Sequence, residues 1–409
     1  MNTFLNSNSH GKKMVDKVFK AAVACNEAKK IYGDVVVDAT LGTLFDEDGV
    51  FVAFDSVWGI YDTIDKIQKA KYASSIQGNP EFRLSVYNWL FGDLDENINC
   101  EIIATPGGAG AISSTMKNVL SVGETVIKPS QGWGPYNTMA AEFGLNITSY
   151  NMFKGNSFDI EDFKTVLTDI MNKEGKVLVI INDPCHNPTG YTLSEDEWDD
   201  IIEFSNLLSK QGPVIILNDI AYVDYNIKGN SWKQGFKRFN KLTKNVMVVI
   251  AFSTSKTMTA YGARTGAQIV ITKDQKQLEM FKDAGIYSAR SIWSTVNNSA
   301  MRLFSEIMDN EENKNAFLKE KQYYVDLLKE RSDIFVNEAI ECGLPIYPYK
   351  EGFFVTVRIK DNNTRDAFNL TLQENNIYTV VVDGGLRIAI CSVPKRKLKG
   401  LAARIKQLM

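Results

Sequence analysis

Apolar positions cluster in blocks along the middle of the chain. The blocks are CEIIAT (100–105), ETVIKP (124–129), NITSY (146–150), KVLVIIND (176–183), GPVIILND (212–219), NVMVVIAF (245–252) and AQIVIT (267–272). Several are continuous apolar runs, without the alternation of a half-buried strand. Such runs predict parallel strands covered on both faces. Helical stretches separate them. One starts near residue 109 after a glycine-rich turn. Another starts at Ser194, where Glu197 three residues on makes a capping box. Alternating strands and helices predict an α/β fold with a doubly wound, mostly parallel sheet.

The pattern changes after Asn297. A long helical region with a polar break at DNEENKN runs to about Cys342, followed by the short strands GFFVTVRI and LRIAIC around a helical RDAFNLTLQEN. This predicts a smaller α+β domain. A helix over Lys12–Ile31 with Met14, Val15, Val18, Phe19, Ala22 and Val23 on one face is expected to pack on it. The expected division is an N-terminal arm (1–11), a discontinuous small domain (12–50 and 298–409) and a large domain (51–297).

A chain of 409 residues suits such a two-part build. The formal net charge is -3 and no basic stripe stands out, which argues against nucleic acid or anionic membranes as partners. No apolar leader or membrane-length segment occurs, so a cytoplasmic location is expected. The five cysteines are scattered and lack CxxC spacing, which argues against disulfides or a zinc site. Only two histidines occur, and His10 sits in a polar tail. A Ser-His-Asp triad or a His-rich metal site would have to use His186. Lysine or a cofactor is the better-supplied source of chemistry.

Four stretches carry that chemistry. In FSTSKTMTAYGARTG (252–266) a buried strand ends on Lys256. A buried ammonium needs a partner, unless the side chain reaches solvent from a loop. In ATPGGAGAISS (104–114) a strand ends in glycines and a helix begins. That is a tight turn, or a loop whose free N–H groups hold a single phosphate. A dinucleotide fingerprint does not fit, because Ser113 stands where the third glycine belongs. DPCHNPTG (183–190) places Asn187 at the carboxyl edge of the sheet, where α/β ligands bind. In NDIAYVDY (218–225) the strand ends on Asp219 with Tyr222 just after. Asp219 could cap a helix or pair with a cationic ligand atom.

Taken together and in order, NPTG at 187–190, Asp219 with Tyr222, the S-x-x-K of Ser253 and Lys256, Arg264 and the late Arg387 resemble a class I aminotransferase of pyridoxal-phosphate fold type I, similar to aspartate and aromatic aminotransferases. The match runs from LGTLFDEDG (41–49) to LRIAIC (386–391). It implies that Lys256 carries pyridoxal 5'-phosphate as a Schiff base and moves a proton once freed. Asp219 would pair with the ring nitrogen, and Asn187 and Tyr222 with the ring's 3-oxygen. Trp133, in QGWGPY, would stack on the ring. Gly108 and Ala109 backbone N–H groups, Ser253 and Arg264 would hold the phosphate. The family usually has a hydroxyl residue at the position of Ala109. Tyr72 would reach the phosphate of a neighbouring subunit, which implies a homodimer with shared sites.

For substrate, the resemblance makes Arg387 the clamp on the α-carboxylate and puts Gly42 beside it. Arg290, in RSIWS, matches an arginine that binds a distal carboxylate from the partner subunit, or it is a surface residue. Leu44 stands where dicarboxylate enzymes have glycine in L-G-x-G, beside the substrate. The implied activity is amino-group transfer from a dicarboxylic or aromatic L-amino acid to a 2-oxo acid such as 2-oxoglutarate, by a ping-pong route and without a metal. The same scaffold also serves β-lyases and decarboxylases. A PLP-binding sensor would need a DNA-binding head before the Lys12 helix, and a nicotinamide dehydrogenase would need the missing fingerprint.

Overall fold

The computed structural model describes residues 4–5, 9–14 and 16–409. Of the expected arm, residues 1–3 and 6–8 lie outside the described residues, as does Val15 of the expected apolar helix face.

The continuous apolar runs lie side by side. Among the described residues, the large sheet has strands β1 (Cys100–Thr105), β2 (Thr125–Pro129), β3 (Asn146–Tyr150), β4 (Val177–Asn182), β5 (Val214–Asp219), β6 (Val246–Ser253) and β7 (Gly266–Thr272). Their spatial order is β1-β7-β6-β5-β4-β2-β3. Every neighbouring pair is parallel except those of β7, which runs antiparallel to β1 and β6. All residues of β4 and β5 are buried, as runs with apolar side chains on both faces require. The helix after β1 spans Gly107–Val119 and covers one face. Ser194 and Glu197 form the reciprocal capping box at the start of Glu195–Leu208.

The polar break falls at Asp309–Asn310, between helices Asn298–Met308 and Glu311–Cys342. Asn310 ends the gap by accepting from the Asn313 N–H. The two apolar cores divide inside the long second helix. Met301, Phe304 and Phe317 pack with the large sheet, while Phe335 and Ala339 pack with β8 (Phe354–Arg358) and β10 (Gly385–Ala389). Strand β9 (Val380–Val382) completes the small sheet in the order β8-β10-β9. Segment 298–328 therefore shares its core with the large sheet, although it lies beyond the boundary expected at 297.

The first helix starts later than its apolar pattern predicts, at Lys17 rather than Lys12, and ends at Tyr32. Asp16 fixes the start, accepting from Val18 and Phe19 N–H groups. Its buried face is also not the predicted one. Cys25 and Ala28 form a narrow stripe against Val36 and Tyr378, with Ala22 buried a turn earlier. Met14, Phe19 and Val23 are each more than 60% exposed. Small residues won the packing face because they let the helix approach closely.

One side chain ties the segments together. Arg331, on the long helix, is fully buried. It donates to Glu47 Oε1 at 2.9 and 2.7 Å and to the carbonyls of Phe45, Asp46 and Cys391, each at 2.9 Å. Its fork is fully used and its charge is paired. Arg331→Met removes five hydrogen bonds, three to backbone carbonyls and two to Glu47, and we expect a loss of about 3 kcal/mol in urea unfolding. Unchanged stability would show that the loop 45–47 repacks without it.

Candidate active site

Parallel register puts the ends of β4, β5 and β6 at one level. Asn182 pairs with Asp219, and Asp219 with Ala251. Chain leaving these ends builds two adjoining cavities. The inner one, about 140 Å³, is lined by Gly108, Ala109, Ser253, Arg264 and Asp219. The outer one, about 480 Å³, is lined by Gly42, Phe354, Phe19 and Arg387. Trp133, Asn187, Tyr222 and Lys256 line both.

Lys256 sits where the two cavities meet, on the four-residue helix Thr254–Thr257. Its ammonium lies 5.3 Å from the Tyr222 ring centroid and 5.5 Å from that of Tyr261. Desolvation draws its pKa down from 10.5 to about 8; Asp219 opposes the shift and Arg264 adds to it. Asp219 is buried, and burial raises its pKa. The Tyr136 hydroxyl donates to Asp219 Oδ2 at 2.6 Å and the Ala221 N–H to Oδ1 at 3.1 Å, both favouring the carboxylate.

At the inner end, Gly107 has φ +70°, and a Cβ there would lie 2.7 Å from Arg264 Nη2. Only glycine lets the helix start come this close to the guanidinium. Arg264 itself takes a left-handed φ of 51°, a strained conformation for a side-chain-bearing residue. It donates to Ser255 Oγ at 3.1 Å and the Tyr261 carbonyl at 2.9 Å. Ser253 caps the lysine-bearing helix by accepting from the Ser255 N–H.

At the outer end, Arg387 is buried. It donates to the Thr40 carbonyl at 2.7 Å and Asn187 Oδ1 at 3.3 Å, and its Nε has no partner among the described residues. Its guanidinium lies 4.3 Å from the Phe354 ring centroid. Asn187 also donates to the Tyr222 hydroxyl at 3.4 Å. A Cβ on Gly42 would meet Phe354 at 2.7 Å, so this wall leaves no room for a side chain.

The structure thus gathers Lys256, Asp219, Tyr222, Asn187, Gly108, Ala109, Trp133, Ser253, Arg264, Arg387 and Gly42 around the two cavities. Arg290 and Tyr72 lie outside them. Arg290 is exposed and donates to its own Ser294 at 2.8 Å, and Tyr72 is 83% exposed. Leu44 is not beside the cavity. It is fully buried in the core, its N–H donating to Tyr261 Oη. Gly42, two residues earlier, is the one that lines the outer cavity. Sequence reasoning missed Tyr136, Tyr261 and Phe354. Tyr136 follows Trp133 in QGWGPY, three residues on, as the second residue of the helix that starts at Pro135. His186 is buried and bonded to Thr189 Oγ1 at 2.8 Å, and burial lowers its pKa to about 3. No cluster of three or more His, Cys, Asp or Glu that could hold a metal occurs among the described residues.

Residues 56–405 match the family model described as aminotransferase class I and II. The chain belongs to the class I and II aminotransferases. An aminotransferase from Anaerococcus prevotii DSM 20548 superimposes with a TM-score of 0.95 at 32% identity, over 99% of each chain. The mitochondrial aspartate aminotransferase of Schizosaccharomyces pombe is 23% identical over 69% of this chain and 65% of its own length. The aromatic-amino-acid aminotransferase of Paracoccus denitrificans is 23% identical over 63% of this chain and 64% of its own. The chain thus spans a little under two thirds of the length of these two curated relatives.

The family uses pyridoxal phosphate, and the inner cavity fits it. An acid and an amine face each other beside a helix start with free N–H groups, a serine and a guanidinium. The lowered lysine pKa sets a sign. The unfolded chain binds the proton that folded Lys256 gives up, so stability of the cofactor-free protein rises as pH climbs from about 8 to 10.5. Relative to Lys256→Met, the gain across that window is expected to be about 1–3 kcal/mol by denaturant unfolding. Parallel pH profiles for the two proteins would mean that Lys256 keeps an ordinary pKa.

Proposed function

We propose that this family member is a pyridoxal-phosphate-dependent aminotransferase that moves an amino group from an L-amino acid to a 2-oxo acid. The observation that carries the reading is the pair of adjoining cavities meeting at Lys256, with an anion cradle at one end and the buried Arg387 at the other. When bound, the cofactor supplies a carbonyl that takes up the amino group and a ring that accepts the electron pair from the substrate's Cα.

The chain's own residues do the rest. Gly108, Ala109, Ser253 and Arg264 hold the phosphate. Asp219, kept as a carboxylate by Tyr136, pairs with a protonated ring nitrogen. Asn187 and Tyr222 supply an amide and a hydroxyl for the ring oxygen, and Trp133 covers a ring face. Lys256, with a pKa near 8, is neutral often enough at mild pH to take a proton at Cα and return it. Arg387 has an idle buried N–H and clamps the substrate carboxylate.

The relatives are named for aspartate and aromatic amino acids, so a dicarboxylic or aromatic donor is the reading for substrate, with 2-oxoglutarate as an acceptor. None of the relatives cited is a lyase or decarboxylase. The exposed Tyr72 and Arg290 support a homodimer in which each chain completes its partner's site. Five unpaired cysteines suit a reducing, cytoplasmic setting. No described helix is long and apolar enough to cross a membrane.

Adding single amino acids to the cofactor-loaded protein, without an acceptor, should bleach its near-visible band and release the matching 2-oxo acid. Ammonia release in its place would move the reaction to a lyase. Lys256→Ala should lose the band and at least about a thousandfold of activity; a variant that kept both would sink the assignment. Arg387→Lys should lower kcat/KM about 100-fold by losing the bidentate clamp. For the shared site, mixing inactive Lys256→Ala chains with inactive Tyr72→Ala chains should restore part of the activity. No restoration after subunit exchange would place Tyr72 outside the partner's site.

A further inference from the structure

Lys256 stands on a helix of four residues. One turn cannot hold itself, because a first turn fixes several dihedrals for a single hydrogen bond. Its direction must come from outside. The side chains that supply it lie behind the cavities, on the exit from β5.

There, the Tyr225 hydroxyl donates to the Lys256 carbonyl at 3.1 Å. The Thr257 hydroxyl donates to Asp224 Oδ2 at 2.6 Å. Lys321, on the long helix, donates to the other oxygen, Asp224 Oδ1, at 3.0 Å. The side chains of Asp224 and Lys321 are 1% and 8% exposed. The Lys321 ammonium lies 4.9 Å from the Trp89 ring centroid and 5.6 Å from that of Phe317. A second buried cation, Lys233, lies 4.0 Å from the Trp89 centroid and 3.6 Å from Asp93. Asp224 is thus a buried acid with one oxygen on a buried cation and the other on the residue next to Lys256.

We propose that Asp224, locked by Lys321, is a positioning residue that aims Lys256 through the Thr257 hydroxyl. The proposal rests on the reading of Lys256 as the cofactor-bearing residue. A buried ion pair contributes little net stability against an apolar pair of the same shape. It does give the carboxylate one fixed orientation, and Thr257 takes its direction from that. The hydroxyl is also shared with the Ser253 carbonyl at 3.2 Å, which closes the turn onto β6. The charged and titratable groups around the Lys256 amine are Asp219, Arg264, Arg387 and Tyr222, which line the cavities, together with Cys391 and Tyr261. Asp224 touches none of the reacting atoms and acts through the backbone.

The test removes the hydroxyl and keeps the ion pair. In the loaded protein, Thr257→Val should lower kcat by about 10- to 100-fold, with KM for the amino donor changed less than about threefold. The pH midpoint of the near-visible absorbance should shift by at least about half a unit, because the amine sits differently among its neighbours. Thr257→Ser should restore both. If Thr257→Val does not fold, Thr257→Ala removes the same hydroxyl without the buried branch, and Asp224→Asn should move the midpoint in the same sense. An unmoved midpoint with less than a twofold loss in kcat overturns the proposal, as does a serine variant as impaired as the valine one. A wild-type protein with no near-visible band would overturn the functional reading itself; a normal wild-type band with an unmoved Thr257→Val midpoint would sink only the positioning role.

Discussion

Parallel pairing holds Asn182, Asp219 and Ala251 at one level of the sheet, and everything chemical in this chain hangs from that level. Three strands with both faces covered stop together, so their exits open into a space already walled by buried backbone. An acid, an amide and an amine leave the sheet within reach of one another. None could have been placed so by a loop alone, because loops fix side chains less firmly than a ladder of hydrogen bonds does. The antiparallel strand β7, inserted between β1 and β6, brings Gly266 against Gly107 and Phe252, where a Cβ would strike backbone. The close packing around the inner cavity therefore comes from the sheet as well as from the glycine-rich turn.

Much of this was legible in the residues. Apolar runs marked the strands to within a residue or two, and the capping box at Ser194 marked a helix start. The chemistry-bearing residues sat at strand ends in a fixed order, and the folded chain collects all of them except Arg290 and Tyr72. What escaped were contacts between distant positions. Tyr136 meets Asp219 across 83 residues, Lys321 meets Asp224 across 97, and Arg331 meets Glu47 across 284. No local period records such pairs. The face of the first helix was misjudged for a related reason. Phe19 on the helix and Met14 just before it line the outer cavity, and the alanine and cysteine stripe does the packing. Hydrophobic weight alone does not tell a core face from a cavity wall.

The electrostatics are arranged in two layers. On the cavity side, burial lowers the Lys256 pKa and raises that of Asp219, so each holds its charge only with the help of partners. Behind the lysine, Asp224 and Lys321 neutralise each other in an aromatic enclosure and add little net charge to the layer in front. A site built this way can tune its amine from one side and orient it from the other, with few side chains doing both.

Arg331 has a consequence beyond the stability of its own contacts. It ties the 45–47 loop, the long helix and the end of the small sheet through one guanidinium. The chain that carries Gly42 therefore cannot fray as an ordinary surface loop does. Its amides should exchange with solvent only when the long helix loosens as well, as one cooperative unit. A ligand gripping the outer cavity would then slow exchange far along that helix, in residues it never touches.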